Sequence, residues 1–224
     1  MISVIIPVLN EEKLIGKTLE NLRRMEGEFE VLVIDGGSTD KTVAIAKKYA
    51  PVIASKKGRA VQMNTGAGRA RGSILFFLHA DALPDKESFL EIEEIMRDPG
   101  VVGGALRYAL LEKSLLYRSH VFWSNLRARL TGIYPGDHGI FVGRAFFDRV
   151  GGYPQIPIME DVALCKRLKK SGRLVQASSR ITSSSRRFKQ RGFARTVLQM
   201  WTLRLLYFLG ASPEGLAKRY GDAR

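Results

Sequence analysis

A chain of 224 residues, 45% hydrophobic and 26% charged, is long enough to bury a sizeable core and fits one α/β domain with added segments. No apolar run reaches the roughly 18–20 residues that cross a bilayer, so a membrane-spanning protein is not expected, and the lone Cys165 has no partner for an internal disulfide. The net charge of +14 is uneven: fifteen Lys or Arg in residues 166–224 face only Glu214 and Asp222, a net +13 that leaves +1 for residues 1–165. A basic end of this kind suits an anionic partner, whether acidic lipid, nucleic acid or a phosphorylated substrate.

Ile2–Val8 reads as a strand that opens the chain with no basic stretch, apolar run and cleavage site before it, which predicts a cytosolic location. A polar turn, Leu9-Asn10-Glu11-Glu12, leads to a helix with Leu14, Ile15, Thr18, Leu19 and Leu22 on one face. Residues 29–34 give the next strand, ending in Asp35-Gly36-Gly37-Ser38-Thr39-Asp40 before a second helix at Val43 to Ala46. Asp35 is thus a carboxylate at a strand end, whereas Ser38 to Asp40 suit helix caps. A short strand at residues 52–55 precedes a helical segment, 60–71. Its Gly66-Ala67-Gly68 is not a dinucleotide fingerprint, because it leads into a strand instead of following one.

The pattern centres on residues 73–84. Residues 73–78 are almost wholly apolar, as in a strand buried on both faces of a parallel sheet, and His79 and Asp81 follow its carboxyl end. In open α/β sheets ligands collect in that crevice. A carboxylate near an imidazole can hold a divalent metal and, through it, a pyrophosphate; the plainer reading is a turn whose Asp caps the following helix. That helix spans 87–96, and a strand follows at Val101–Leu110. Residues 115–133 predict a core-facing helix, with Leu115, Leu116, Phe122, Trp123, Leu126 and Leu130 along one stripe; a surface meeting lipid or an apolar acceptor is the alternative. Pro135-Gly136-Asp137-His138-Gly139 is a tight turn with two ionisable groups, and 140–142 and 146–150 read as a short strand and a short helix. Glu160 and Asp161 open a helix running to about residue 170; the helix dipole explains one acid there, and the second suggests a cleft. Residues 174–178 predict a strand, 182–187 a polar connection, 193–209 a long helix apolar nearly all round, and the stretch after Gly210 a poorly ordered tail.

Taken in order, Ile5-Ile6-Pro7-Val8-Leu9-Asn10-Glu11, Val33-Ile34-Asp35-Gly36-Gly37-Ser38-Thr39-Asp40, residues 64–72, His79-Ala80-Asp81 and Glu160-Asp161 resemble a family 2 inverting glycosyltransferase of the GT-A fold, over about residues 2–175. The likeness is to small bacterial members with His-Ala-Asp and a Met-Glu-Asp helix start. It implies a doubly wound, mostly parallel α/β sheet with helices on both faces, plus a C-terminal apolar helix. Residues 1–180 would form the catalytic domain (nucleotide part about 1–110, acceptor part about 111–180), and 181–224 a basic segment carrying helix 193–209.

The resemblance further implies that Pro7, Asn10 and Glu11 line a nucleotide pocket and that Asp35 contacts base or ribose. Asp81 would hold a metal on the diphosphate of a UDP-sugar, and Asp161 would deprotonate the acceptor hydroxyl beside Glu160. Arg59 is an added phosphate contact, and Asp137 and His138 stand on the acceptor side. His79, where many members carry Asp, shifts the expected ion from Mg²⁺ towards Mn²⁺. The basic segment and apolar helix would meet an anionic membrane surface with a lipid-linked acceptor, or a second copy of the chain; nucleic acid is not expected. A nucleotidyltransferase on a similar scaffold would need a basic, glycine-rich loop after the first strand, and Asn10-Glu11-Glu12 is acidic. A non-enzymatic membrane or nucleic-acid binder would leave Asp35, Asp81, Glu160 and Asp161 without a reason.

Overall fold

The computed structural model describes residues 1–112 and 114–220. Eight strands form one sheet: β1 (Ile2–Val8), β2 (Phe29–Asp35), β3 (Val52–Ala54), β4 (Ile74–Phe77), β5 (Ala82–Pro84), β6 (Val101–Leu110), β7 (Ile140–Gly143) and β8 (Arg173–Ser183). Between and after them run helices α1 (Ile15–Leu22), α2 (Thr42–Ala46), α3 (Arg59–Arg69), α4 (Ser88–Ile95), α5 (Leu115–Thr131), α6 (Arg144–Arg149), α7 (Glu160–Leu168), α8 (Arg186–Arg191), α9 (Phe193–Phe208) and α10 (Pro213–Tyr220). The strand order is β3-β2-β1-β4-β7-β6-β8-β5. The β3-β2-β1-β4 half is parallel throughout, while β7 runs antiparallel to both β4 and β6. This is the expected α/β architecture with helices packed on both faces.

The two-residue period of β1 sorts its side chains between two cores. Ile2, Val4, Ile6 and Val8 pack with Ile15, Leu19, Phe76 and Phe89 on one side. Ile5 faces Ile34, Met63, Ala67 and Phe77 on the other. Gly66 is where α3 meets that second face: a Cβ there would stand 2.4 Å from Ile5 Cγ2, so only glycine lets helix and sheet approach this closely.

Three expectations are corrected. The strand expected at 174–178 runs from Arg173 to Ser183, taking in part of the stretch read as a polar connection; pairing with β6 and with the unforeseen β5 holds it in the sheet. The tail after Gly210 carries α10, whose Leu216 is buried; residues 221–224 lie outside the described residues.

The third correction concerns α5. Its supposed core stripe faces outward, with Leu115 82% and Leu130 76% exposed, and Leu116, Phe122 and Trp123 also open to solvent. Asn125 and Ala128 face inward instead. Pairing of β6 with β7 ends at Ala105, leaving the next edge of β6 bare. Asn125 fills it: Oδ1 accepts from Tyr108 N–H at 2.9 Å and Nδ2 donates to Tyr108 C=O at 2.9 Å. A backbone edge needing an amide partner therefore outweighs the apolar stripe. The long helix expected at 193–209 is α9, which buries Thr196 and Leu203 and exposes Leu198, Trp201, Leu205 and Phe208. Among the described residues no helix is long and apolar enough to cross a membrane.

Candidate active site

The parallel pairing of β1, β2 and β4 puts the carboxyl ends Val8, Asp35 and Phe77 on one side of the sheet, the side on which open α/β sheets form their ligand crevice. Pro7 pairs with Ile34 in register, half-buried just inside that edge. The two loops beyond it are laced together. Asn10, at φ +54°, donates its N–H to Ser38 Oγ at 2.9 Å and accepts Thr39 N–H on Oδ1 at 2.8 Å. Glu11 N–H donates to Thr42 Oγ1 at 2.7 Å. Asp35 is 8% exposed, and its carboxylate accepts the N–H groups of Gly37 at 3.0 Å and Ser38 at 3.1 Å. Asn is among the few residues that tolerate a left-handed backbone, which here turns the loop after β1 towards the loop after β2.

Sequence reasoning passed over Gln62. Fully buried on α3, it donates from Nε2 to both Val8 C=O and Ile34 C=O at 2.8 Å, tying together the carboxyl ends of β1 and β2. Nothing in the spacing marks it, since a lone polar residue in a helix ordinarily faces water. Gln62→Ala should lower unfolding stability by about 1–3 kcal/mol, as expected when a buried partner is removed. An unchanged urea midpoint would show that the clamp carries no stability.

A second group of acids gathers around Asp81 and Asp137. β5 pairs with β8, and Asp81 C=O accepts Ser184 N–H at 3.2 Å, which brings the start of α8 over the crevice. Arg186 there meets Glu11 at 3.4 Å. The basic segment expected to face a membrane therefore begins by facing the site. Burial raises the pKa of Asp81; Arg186 opposes the rise and Asp137 adds to it. Asp137 is likewise raised by burial, opposed by Arg187 and Arg204.

At the head of α7 the adjacent acids divide. Met159 takes a left-handed φ of +66°, the second such non-glycine position bordering the crevice. Glu160 is 5% exposed and pairs with Arg59 at 3.5 Å; burial raises its pKa, Arg59 counters this, and Asp161 reinforces it. Asp161 is only half-buried. Its Oδ2 accepts Gly136 N–H at 2.8 Å and its Oδ1 accepts Val162 N–H at 2.7 Å, which fixes the carboxylate while leaving lone pairs on both oxygens. A Cβ placed on Gly136 would stand 2.8 Å from His79 Nε2 and 3.9 Å from Asp161 Oδ2, so His79 and Asp161 flank the same turn. His138 lies deeper, wholly buried, stacked on Tyr108 with ring centroids 5.0 Å apart and its Nε2 3.3 Å from Ser124 Oγ. Burial and nearby Arg127 push its pKa well down.

Raised pKa values carry a stability signature. A buried carboxyl whose folded pKa exceeds its unfolded value costs stability once ionised, and the cost vanishes below the unfolded value. Asp81→Asn should therefore be more stable than wild type at neutral pH. The gap should close as pH falls through the window between the raised pKa of Asp81 and the ordinary carboxylate value of 3.8. Thermal melts across that range test this, and a gap that widens on acidification would reverse the sign.

Among the described residues no three His, Cys, Asp or Glu side chains come together as a protein-only metal site. The donor set present is the carboxylate of Asp81 with His79 close by. One carboxylate plus substrate phosphate oxygens is how Mg²⁺ and Mn²⁺ are often held, so these residues fit a metal completed by a diphosphate.

The family model "Glycosyl transferase family 2" matches residues 3–149. A "PGL/p-HBAD biosynthesis glycosyltransferase" of Mycobacterium tuberculosis is 31% identical over 166 residues, covering 68% of this chain and 63% of the relative, so the chain spans less than two thirds of that protein. Among solved structures, the "Mannosyltransferase PcManGT" of Pyrobaculum calidifontis in complex with GDP-Man and Mn²⁺ superposes with a TM-score of 0.70 at 22% identity, covering 91% of this chain and 60% of that one. The S. aureus TarS 1-349 complex with UDP-GlcNAc gives a TM-score of 0.65 at 19% identity, covering 82% and 58%. At these identities the structures bear on the fold.

Proposed function

The chain belongs to glycosyl transferase family 2, and from that premise we propose that it moves a sugar from a UDP-linked donor to an acceptor hydroxyl with inversion at the anomeric carbon. The reading is carried by one observation: Asp35 ends β2, Asp81 follows β4, and a fixed but half-exposed Asp161 flanks the Gly136 turn together with His79. Asp161 takes the acceptor proton as the oxygen attacks the anomeric carbon. The sugar–phosphate bond breaks with its electron pair passing to the nucleoside diphosphate. Glu160 is occupied by Arg59, so it positions that guanidinium and Asp161 acts as the base.

A divalent ion at Asp81 and His79, Mn²⁺ or Mg²⁺, would neutralise charge on the departing diphosphate. Arg59, Arg186 and Arg187 lie around the same acids and add cationic support to those oxygens. The bound UDP-GlcNAc of one fold neighbour supports a uridine donor, and the GDP-Man of the other makes guanine the alternative base. The exposed faces of α5 and α9 support a peripheral position on an anionic membrane. Calorimetric titration of the full chain with UDP and GDP, with Mn²⁺ present, tests the donor assignment: saturable one-to-one binding of one of them is expected. Absence of binding by either would remove the donor reading.

A further inference from the structure

Between α5, α9 and the turn at Gly136 lies a small cavity of about 30 Å³, lined among others by Tyr108, His120, Arg127, Asp137, Trp201 and Arg204. It has room for roughly two or three water-sized groups, which suits the oxygens of an oxyanion and excludes a sugar ring. Two of its guanidiniums are incompletely engaged: Arg127 Nη2 and Arg204 Nε are buried with no hydrogen-bond partner among the described residues, as is Asp137 Oδ1. Arg127 is pushed down to about 10 chiefly by burial, with Arg204 adding to the shift and Asp137 and Asp161 opposing it. Asp137 is the carboxyl in this lining, and Asp161 beyond the turn also acts on Arg127. A buried excess of positive charge with unmet donors is stabilised by an anion.

Trp201, which borders this cavity, also lines a wider groove of about 450 Å³ with Leu116, Phe193, Ala194, Val197 and Leu198. Every side chain of that groove is apolar. The features therefore follow in a fixed order: Asp161, the turn at Gly136 and Asp137, the Arg127–Arg204 cavity, Trp201, and the apolar groove. An amphiphile whose hydroxylated head group is joined through a phosphate to an apolar chain presents its parts in the same order.

We propose that cavity and groove form one acceptor site for such an amphiphile, its phosphate against Arg127 and Arg204, its chain along α9 past Trp201 and Leu198, and its head-group hydroxyl at Asp161. The assignment of the hydroxyl rests on the reading of Asp161 as the base; the phosphate and chain contacts do not. Charge complementarity in the cavity and its continuity with the groove favour a lipid over a second copy of the chain, which would bring no phosphate to the arginines.

The test uses the full chain with phosphatidylcholine vesicles carrying phosphatidylglycerol, and separately with glycerol phosphate in solution, which offers the same head chemistry without a tail. Arg204→Gln and Arg195→Gln each remove one charge from α9, but Arg195 is exposed and lies outside the cavity lining. Arg204→Gln should weaken vesicle binding about tenfold more than Arg195→Gln, as for loss of a charge-assisted contact. Arg127→Gln gives the same reading if Arg204→Gln folds poorly. Leu198→Ser should weaken vesicle binding without altering binding of glycerol phosphate.

Equal effects of Arg204→Gln and Arg195→Gln would reduce the attraction to diffuse charge and overturn the proposal. So would glycerol phosphate binding as tightly as the vesicles, or self-association of the chain abolished by Leu198→Ser with no vesicle binding. UDP titration on the same samples separates the two readings. Vesicle binding with this mutational pattern but no nucleotide binding would sink the donor assignment alone, and the converse would sink the lipid site alone.

Discussion

Asp161→Asn is expected to lower sugar transfer by about 10²- to 10⁴-fold, the range typical of a lost general base, with UDP affinity changed by no more than about twofold. The substitution keeps size and shape, and one amide oxygen can still accept the Gly136 or Val162 N–H that now holds the carboxylate. What disappears is the proton acceptor. Glu160→Gln should cost less, because Glu160 is buried against Arg59 and acts through it. Steady-state rates and calorimetry on the same preparations separate the two effects. Undiminished transfer by a folded Asp161→Asn would move the base to Asp137, the next carboxyl along the turn.

Asp81→Ala is expected to lower Mn²⁺-dependent UDP affinity by at least about tenfold, the loss of one charge-assisted ligand. The same variant should leave binding measured in chelator little changed. His79→Ala should act in the same direction but more weakly, since its ring lies against the Gly136 turn. If chelator leaves wild-type UDP binding untouched, no metal is needed there, and Arg59 with Arg186 and Arg187 carries the diphosphate charge. Arg186→Gln would then give the larger loss.

The strands that build the crevice were legible because β1, β2 and β4 are short apolar runs closed by polar turns, and burial on both faces leaves such runs no other reading. Asp35 and Asp81 stand out for the same reason, each being a carboxylate at or just past the end of such a strand. Contacts that depend on chain pairing were not legible. β8 extends to Ser183 because β5 and β6 flank it, a partnership absent from the spacing of its own residues. Gln62 and Asn125 serve backbone groups exposed by that geometry, and local sequence does not reveal which carbonyls will lack a partner. Arg186 belongs to a basic run that charge counting assigns to an outside partner, yet the fold turns it onto Glu11. The apolar stripe of α5 misled because periodicity reports which residues share a face and is silent on which way the face looks.

The most direct test of the account is proton NMR of the wild-type chain incubated with a UDP-sugar, Mn²⁺ and an acceptor alcohol, following the anomeric signal of the first product formed. Release of UDP and a first-formed product of opposite anomeric configuration to the donor are expected, with both lost in Asp161→Asn. A first product that retains the donor configuration, or UDP release undiminished in Asp161→Asn, would contradict it.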